Sequence, residues 1–448
     1  MSSTGSLKRT ERAAAPARFS ERRIATIIAS ALFTILLVSF RPFQPTGALA
    51  GPDSLPAEGG DIVNQVGFMS LGLAAIFSLF TYVEPRKLLG LLSPWWLLLI
   101  LLFMLSVFHA REPDAAMRAA IFTLMGIVSI AAVIVLPRDG DAFSTVVACA
   151  GFVVVGLSFI GLVILPNEAM HTFADGVEPE FAGLWRGVFS HKNIAGPVMA
   201  CLSFGGLYLW RRGWTRSGLL LFAGAMIFMI NTGSKTTAGL VPLSILIVMM
   251  PSLIGMRLLT PILVAFTLFA TALATLGIVF IEPLKEFANW LVPGINYTGR
   301  TTLWAFAGEH IAERPWFGYG FQSFWGSPIV QHKERFFDDE WDIRGIVHGH
   351  DSYLDIAIQM GLPAMIVTVI TFLVAPLRDY MRVPLYKENV YLADFFMMAV
   401  LFTTLDAFLE TFFLRRADPV WLLLVFGLLG LRIVARFPMP VRVRENGQ

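Results

Sequence analysis

Charge is scarce in this chain. Only 15% of its 448 residues are Asp, Glu, Lys or Arg, while 56% are hydrophobic. A soluble domain carries about a quarter charged residues, so an ordinary aqueous surface is excluded and the solvent for much of the chain is lipid. Cysteine is nearly absent. Cys149 and Cys201 both lie inside apolar runs, which leaves no metal-ligand cysteine spacing and reads as packing rather than a disulfide. The net charge of +2 gives no electrostatic reason to expect a nucleic-acid partner. No Walker loop, dinucleotide fingerprint, Gly-x-Ser-x-Gly elbow or His-Glu-x-x-His site is present. Catalysis driven by cytoplasmic ATP is therefore not expected.

Long apolar runs are abundant. A helix needs about 20 such residues to cross a bilayer. They recur at about 24–40, 65–83, 94–110, 116–136, 142–165, 194–210, 217–231, 238–255, 259–281, 353–375, 391–411 and 419–435. Barrel strands would be half as long and alternate in polarity. The expectation is an all-α, polytopic transmembrane bundle of about 12 spans. Basic residues orient it. Lys8, Arg9, Arg12, Arg18, Arg22 and Arg23 precede the first run, and Arg432, Arg436, Arg442 and Arg444 close the last. Arg86, Lys87, Arg138, Arg211, Arg212, Arg216, Arg257, Arg378, Arg382 and Lys387 lie in or beside the even-numbered connections. Together these are more than half of the 34 basic residues, which puts both termini in the cytoplasm. Ala48-Leu49-Ala50 loosely resembles a cleavage site, but the polar stretch from Arg41 onward is long for a leader. The first run is read as a span. The chain then divides into a basic tail (1–23), spans one to nine (24–281), a large outer loop (282–352), spans ten to twelve (353–435) and a second tail (436–448).

Polar side chains concentrate in three outer segments, 166–193, 231–237 and 282–352. The last is partly helical: 300–313 reads as a helix with Trp304 and Ala307 on one face and Glu309 and Glu313 on another, ended by Pro315. Gly318-Tyr319-Gly320-Phe321 reads as a tight turn. The loop's aromatic residues suit either a cap packed on the membrane surface or a sugar-binding cleft.

Four basic features fall on the outer side. His348 and His350 end the large loop in Val347-His348-Gly349-His350-Asp351. A histidine at the water–lipid boundary suits a general base, and equally an interfacial side chain that binds nothing. A third ligand is wanting, so no metal is expected. Arg300, after Gly299, stands at a helix start where an anion would bind, or it pairs with a loop carboxylate. Lys235 sits in the hydroxyl-rich Asn231–Thr237 link, as a phosphate contact or a snorkelling anchor. Arg186, His191 and Lys192 cluster before span six. Outer-face cations beside lipid and a histidine suit an anionic, lipid-linked substrate. Asp406 and Glu410, four apart near the outer end of span eleven, share a helix face. They suit a proton pathway or pairing with Arg415 and Arg416, and the pairing is the preferred reading.

The runs Thr298-Gly299-Arg300-Thr301-Thr302-Leu303-Trp304, Glu313-Arg314-Pro315-Trp316-Phe317-Gly318-Tyr319-Gly320-Phe321 and His350-Asp351-Ser352-Tyr353-Leu354 resemble, in this order, motifs of the O-antigen ligase and polysaccharide polymerase superfamily. Gly187-Val188-Phe189-Ser190-His191-Lys192-Asn193 resembles a stretch of its exopolysaccharide polymerase branch. The motifs cover roughly 183–375. The resemblance implies a multi-pass bacterial inner-membrane glycosyltransferase, without cofactor or metal. It would take a glycan from an undecaprenyl diphosphate carrier and join it to an acceptor glycan in the periplasm, within the bilayer and alongside other envelope polysaccharide assembly proteins. By that resemblance His350 is the catalytic residue and Arg300 meets the diphosphate, with Lys235, Lys192 and Arg186 as further diphosphate contacts. His348, His191, Tyr353 and Trp304 are candidates for acceptor binding or support. Lys235 replaces the family's arginine, and Asp351 stands where asparagine is usual. Polymerisation of exopolysaccharide or O-antigen repeats is the first reading and ligation onto lipid A core the second, by the same chemistry. A secondary transporter or flippase using Asp406 and Glu410 is the rival, but no internal repeat supports it.

Overall fold

A computed structural model describes residues 19–44, 62–173, 179–297, 299–333 and 343–439. Within these residues the architecture is helical, with one isolated bridge between Met170 and Trp185 and no named strand. Nine helices are long and apolar enough to cross a membrane, from Ile62–Tyr82 to Pro419–Arg436. Pro85–Leu91 and Pro94–Phe108 form a further span bent by 66°, and Thr215–Asn231 is a shorter apolar helix. Phe19–Val38 precedes them. Lys8, Arg9, Arg12, Arg18, Arg442 and Arg444, used above for orientation, lie outside the described residues.

The bilayer offers no water to backbone groups, so helices that satisfy themselves are favoured. Their hydroxyls obey the same rule. Thr26, Ser30, Thr34, Ser78, Thr123, Thr368, Thr371, Thr403 and Thr404 each donate to the carbonyl four residues earlier. Lys192–Arg211, Lys387–Asp406 and Pro419–Arg436 are the most enclosed helices, while Ile62–Tyr82 and Leu259–Phe280 lie at the periphery. Phe77, Phe80, Leu101, Val163, Leu220, Phe266 and Phe269 are exposed along the outside. Apolar exposure on that scale marks a lipid-facing surface.

The end opposite the large loop is held by ion pairs. Arg211 meets Asp394 at 2.6 Å, and Tyr380 donates to the same carboxylate at 2.8 Å. Arg212 reaches Asp141 and Glu388 at 3.2 and 3.1 Å. Asp394 is therefore a buried partner, with its side chain fully enclosed.

Two expected spans differ in the structure. The run 353–375 is divided: Ser352–Met360 is one helix, Gly361 breaks it, and the apolar span is Leu362–Arg382. Gly361 has φ +87°, and a Cβ there would stand 2.3 Å from the Trp316 carbonyl oxygen. Only glycine accepts both the left-handed backbone and that approach. The run 391–411 ends early, at Asp406. Glu410 thus lies beyond the helix, and it does not share a helix face with Asp406.

The large loop folds as a cap with its own core: Leu303, Trp304, Phe306, Ala307 and Ile311 pack against Phe324, Val330 and Ile343, and against Leu354, Ala357 and Ile358. Arg300–Glu313 is helical as its periodicity predicts. The Gly318–Phe321 turn takes the last carbonyls of Ser352–Met360 as acceptors: Tyr319 N–H donates to Ile358 O and Gly320 N–H to Gln359 O, both at 2.9 Å. Phe321 N–H donates to Ser106 O at 3.2 Å. These bonds fix the cap to two helices of the bundle.

Candidate active site

The His348–His350 loop is shaped from beneath. Asp355, buried in the Ser352–Met360 helix, accepts the Gly349 N–H on both oxygens at 3.1 and 3.0 Å, and the Trp325 indole N–H at 2.6 Å. Trp304, fully buried, donates its indole N–H to Gly349 O at 3.0 Å. A Cβ on Gly349 would stand 2.8 Å from Asp355 Oδ1. Both backbone groups of Gly349 are thus clamped, and the next residue, His350, takes φ +50°. A left-handed backbone is uncommon for histidine and sets the direction of its ring.

Asp351 then caps the helix, accepting from Tyr353 N and Leu354 N at 2.8 and 2.9 Å through Oδ1. Asparagine would cap equally well. Burial drives the Asp351 carboxyl well above its ordinary range, against the pull of these two N–H groups. The cap needs only an acceptor oxygen, which a carboxyl and an amide both supply.

Arg300, His350 and Glu410 meet. Arg300 Nη2 lies 3.1 Å from Glu410 Oε1, and its Nη1 donates to the Leu409 carbonyl. His350 Nδ1 lies 3.6 Å from Glu410 Oε2. Asn193 Nδ2 donates to Glu410 Oε1 at 3.1 Å. Ser352 Oγ donates to Glu410 O at 2.8 Å and accepts the Phe412 N–H at 3.0 Å, holding the Leu409–Phe412 backbone in place. Each of the three charged or imidazole side chains is about one-fifth exposed. Burial raises the Glu410 carboxyl, but the neighbouring His350 imidazole and the Arg300 charge outweigh it and hold the group near 2. The carboxylate is therefore ionised at any physiological pH. The sequence pattern favoured Arg415 and Arg416 as its partners. Arg415 instead donates to the Thr411 carbonyl at 3.1 Å, and Glu410 goes to partners 110 and 60 positions away.

His348 stacks edge-on to His350, with centroids 4.2 Å apart. Burial, then His350 and Arg415, lower its pKa to about 3. So weak a base cannot take up a proton near neutral pH, which leaves His350 as the imidazole with a carboxylate partner.

The other candidates divide. His191 caps Lys192–Arg211 by accepting Asn193 N–H at 3.1 Å, and its ring lies 4.8 Å from His171. Through Asn193 this segment reaches Glu410. The Asn231–Thr237 link packs on the first turn of the same helix: a Cβ on Gly196 would stand 3.1 to 3.3 Å from Thr237, Ser234 and Thr232. Lys235 starts the following helix there and is exposed. Two cations differ from the expected diphosphate contacts. Arg186 is 1% exposed and donates to the Glu168 and Asn167 carbonyls at 2.9 and 3.0 Å. Lys192 is buried with its ammonium 3.9 Å from the Phe181 ring centre. Both are spent on local folding. Tyr353 and Trp304 are core residues: Tyr353 is 3% exposed and donates to Thr404 O at 3.1 Å. They support the site and do not face it. Thr298 lies outside the described residues.

The sequence reading did not assign Glu410, Asp355, Asn193 or Ser352 to this site. Asp355 carried one usable signal, a second buried-face carboxylate one turn after Asp351. Among the described residues no group of three or more His, Cys, Asp or Glu could hold a metal ion.

Residues 194–369 match the family model described as O-antigen ligase. This supports the O-antigen ligase and polymerase superfamily, with a multi-pass membrane protein that processes glycans. No curated protein matches the chain. The match includes Lys235, Arg300 and His350, whereas Asn193 and Glu410 lie outside it.

Proposed function

We propose, from the O-antigen ligase domain that this chain carries, that it is an inner-membrane glycosyltransferase acting on the periplasmic face. Its donor is a glycan on undecaprenyl diphosphate, and its acceptor is a sugar hydroxyl of another glycan, so that repeats are polymerised. The bundle has about 12 spans with both termini cytoplasmic, and the large loop over 282–352 is periplasmic. One observation carries the reading: a guanidinium, a carboxylate and an imidazole from three distant parts of the chain meet at the rim of the bundle.

The geometry suits base catalysis. The acceptor hydroxyl hydrogen-bonds to His350 Nε2. Glu410 faces Nδ1, so it favours the tautomer with the proton on Nδ1 and stabilises the imidazolium that forms. The acceptor oxygen attacks the anomeric carbon as its proton passes to Nε2. The bond from that carbon to the diphosphate oxygen breaks, and both electrons leave with undecaprenyl diphosphate. Attack opposite the leaving group inverts the anomeric centre. Arg300 offsets the charge growing on the diphosphate. Lys235, on the adjoining link, supplies a second exposed cation. Imidazolium then returns its proton to water.

The test is gel analysis of surface glycan from a deletion strain complemented with wild type or His350→Ala. Polymerisation predicts single-repeat product in the deletion and in the variant. Full-length glycan stranded on the carrier would assign the protein to ligation instead, and unaltered glycan would remove it from this pathway.

A further inference from the structure

The helix Glu282–Leu291 leaves the Leu259–Phe280 span at Ile281, where the backbone turns extended (φ −123°, ψ 100°). None of its ten residues is buried. At 100° per residue, Pro283, Phe287, Trp290 and Leu291 fall on one face, and Glu282, Lys285, Glu286 and Asn289 on another. Phe287, Trp290 and Leu291 are 58%, 76% and 64% exposed. The Phe287 and Trp290 rings lie 5.9 Å apart, tilted by 30°. Leu284, between the faces, reaches back to Gly277 in the span, so it ties the helix to the bundle with its apolar face turned away. On the polar side Lys285 pairs with Glu282 at 3.4 Å.

The apolar face does not stand alone. It continues the exposed strip of the preceding span, formed by Ile262, Phe266, Phe269, Phe280 and Ile281. Other aromatic residues are exposed near span ends. Trp316 and Phe317 adjoin the start of Leu362–Arg382, and Phe108 ends Pro94–Phe108. Phe317 stacks on His109 at 6.3 Å. Tryptophan and other amphipathic rings gather at headgroup depth. A short helix with one apolar and one charged face lies flat at that boundary.

We infer that Glu282–Leu291 is an interfacial helix, seated in the same bilayer that the spans cross, with Phe287, Trp290 and Leu291 among the upper acyl chains and Glu282, Lys285 and Glu286 at the headgroups. Its lipid contact fixes the depth of the segment that leads to Arg300. Tyr297, in that segment, donates to the Ala274 carbonyl at 2.8 Å, so the floated helix and the span beneath are tied on both sides. The inference does not depend on which glycan the protein handles.

Site-directed spin labelling of the full chain in liposomes tests it. Cys201 is buried and Cys149 exposed, so Cys149→Ser provides the background. Nitroxides are placed singly by Glu286→Cys, Phe287→Cys, Asn289→Cys and Trp290→Cys, with Phe269→Cys as the lipid reference and Leu291→Cys as replacement if a variant does not assemble. Accessibility to oxygen and to an aqueous nickel chelate is compared at each site. The expected result is a change of sign in the logarithm of the oxygen-to-chelate ratio around the helix. Positions 287 and 290 should approach the Phe269→Cys value, and 286 and 289 should favour the chelate. Chelate access at all four positions would place the helix in water. Shielding of 287 and 290 from both reagents would mean that protein, such as a second copy, covers the face. Either outcome overturns the inference.

Discussion

Glu410→Gln separates the work of the carboxylate from its bulk. Glutamine keeps the shape and still accepts a hydrogen bond, but it removes the charge that faces His350 Nδ1 at 3.6 Å and Arg300 at 3.1 Å. Two effects follow in opposite directions. The imidazolium formed during transfer loses its counter-charge, and the tautomer preference of His350 is no longer enforced. Positioned acid–base catalysis contributes about 10²–10⁴-fold, so turnover should fall about a hundredfold, or about 3 kcal/mol of barrier. Arg300 meanwhile loses an anionic competitor, so the diphosphate donor should bind as well as before or more tightly. Glu410→Ala adds a stability cost, because it leaves a guanidinium only 17% exposed without its partner. About 2 kcal/mol is expected, at the low end for a buried pair because both groups touch solvent. The assay is transfer by purified protein in liposomes with a defined lipid-diphosphate donor, together with equilibrium donor binding. A rate near that of wild type for Glu410→Gln would refute the dyad. A matching loss of binding with no change in turnover would make Glu410 a scaffold only.

Asp351→Asn should leave thermal stability and transfer nearly unchanged, since the capping acceptor survives and burial disfavours charge on the carboxyl that the amide replaces. Asp351→Ala should cost about 1 kcal/mol through loss of the cap. Asp355→Ala strands the Gly349 and Trp325 N–H groups, at about 1–3 kcal/mol each, and should lower turnover by releasing the His350 loop; differential scanning and transfer assays read both. Acid should destabilise the protein through two groups. His348 has a folded pKa near 3, below its ordinary 6.5, so its contribution is full above pH 6.5 and lost as pH falls from there toward 3. Glu410, near 2 against 4.5, contributes fully above pH 4.5 and loses that contribution between 4.5 and 2. His348→Gln should therefore flatten the stability slope between pH 6 and 4.5 by up to about 1.4 kcal/mol per pH unit, measured by denaturation at stepped pH.

Much of the bundle was legible because lipid imposes one rule: apolar residues for about 20 positions, then a break. Helices occupy every expected apolar run. The two divergences have local causes that hydropathy does not register. Gly361 interrupts an unbroken apolar run because the cap's Trp316 carbonyl crosses the backbone there. Span eleven stops at Asp406, and the carbonyls that follow are taken by other segments: Ala407 O accepts the Ser352 N–H, Leu409 O accepts from Arg300, and Glu410 O accepts from Ser352 Oγ. Arg300 and His350 could be picked out because each stands at a helix start beside a glycine or a capping residue, and the resemblance assigned them roles. Glu410 could not. Its partners lie far along the chain, and nearest-neighbour reasoning assigned it to Arg415, which is committed to Thr411. Arg186 and Lys192 read as ligand cations for the converse reason. Sequence shows a charge but not the carbonyls or the ring that occupy it.

The decisive measurement is glycan transfer by the purified, reconstituted protein, with a lipid-diphosphate-linked oligosaccharide as sole donor, run side by side for wild type and His350→Ala. Extended product from wild type is predicted, with none from the variant, while the variant still binds donor through Arg300. Transfer by His350→Ala at the wild-type rate, or no transfer by wild type with donor and acceptor both bound, would show that the chemistry lies elsewhere.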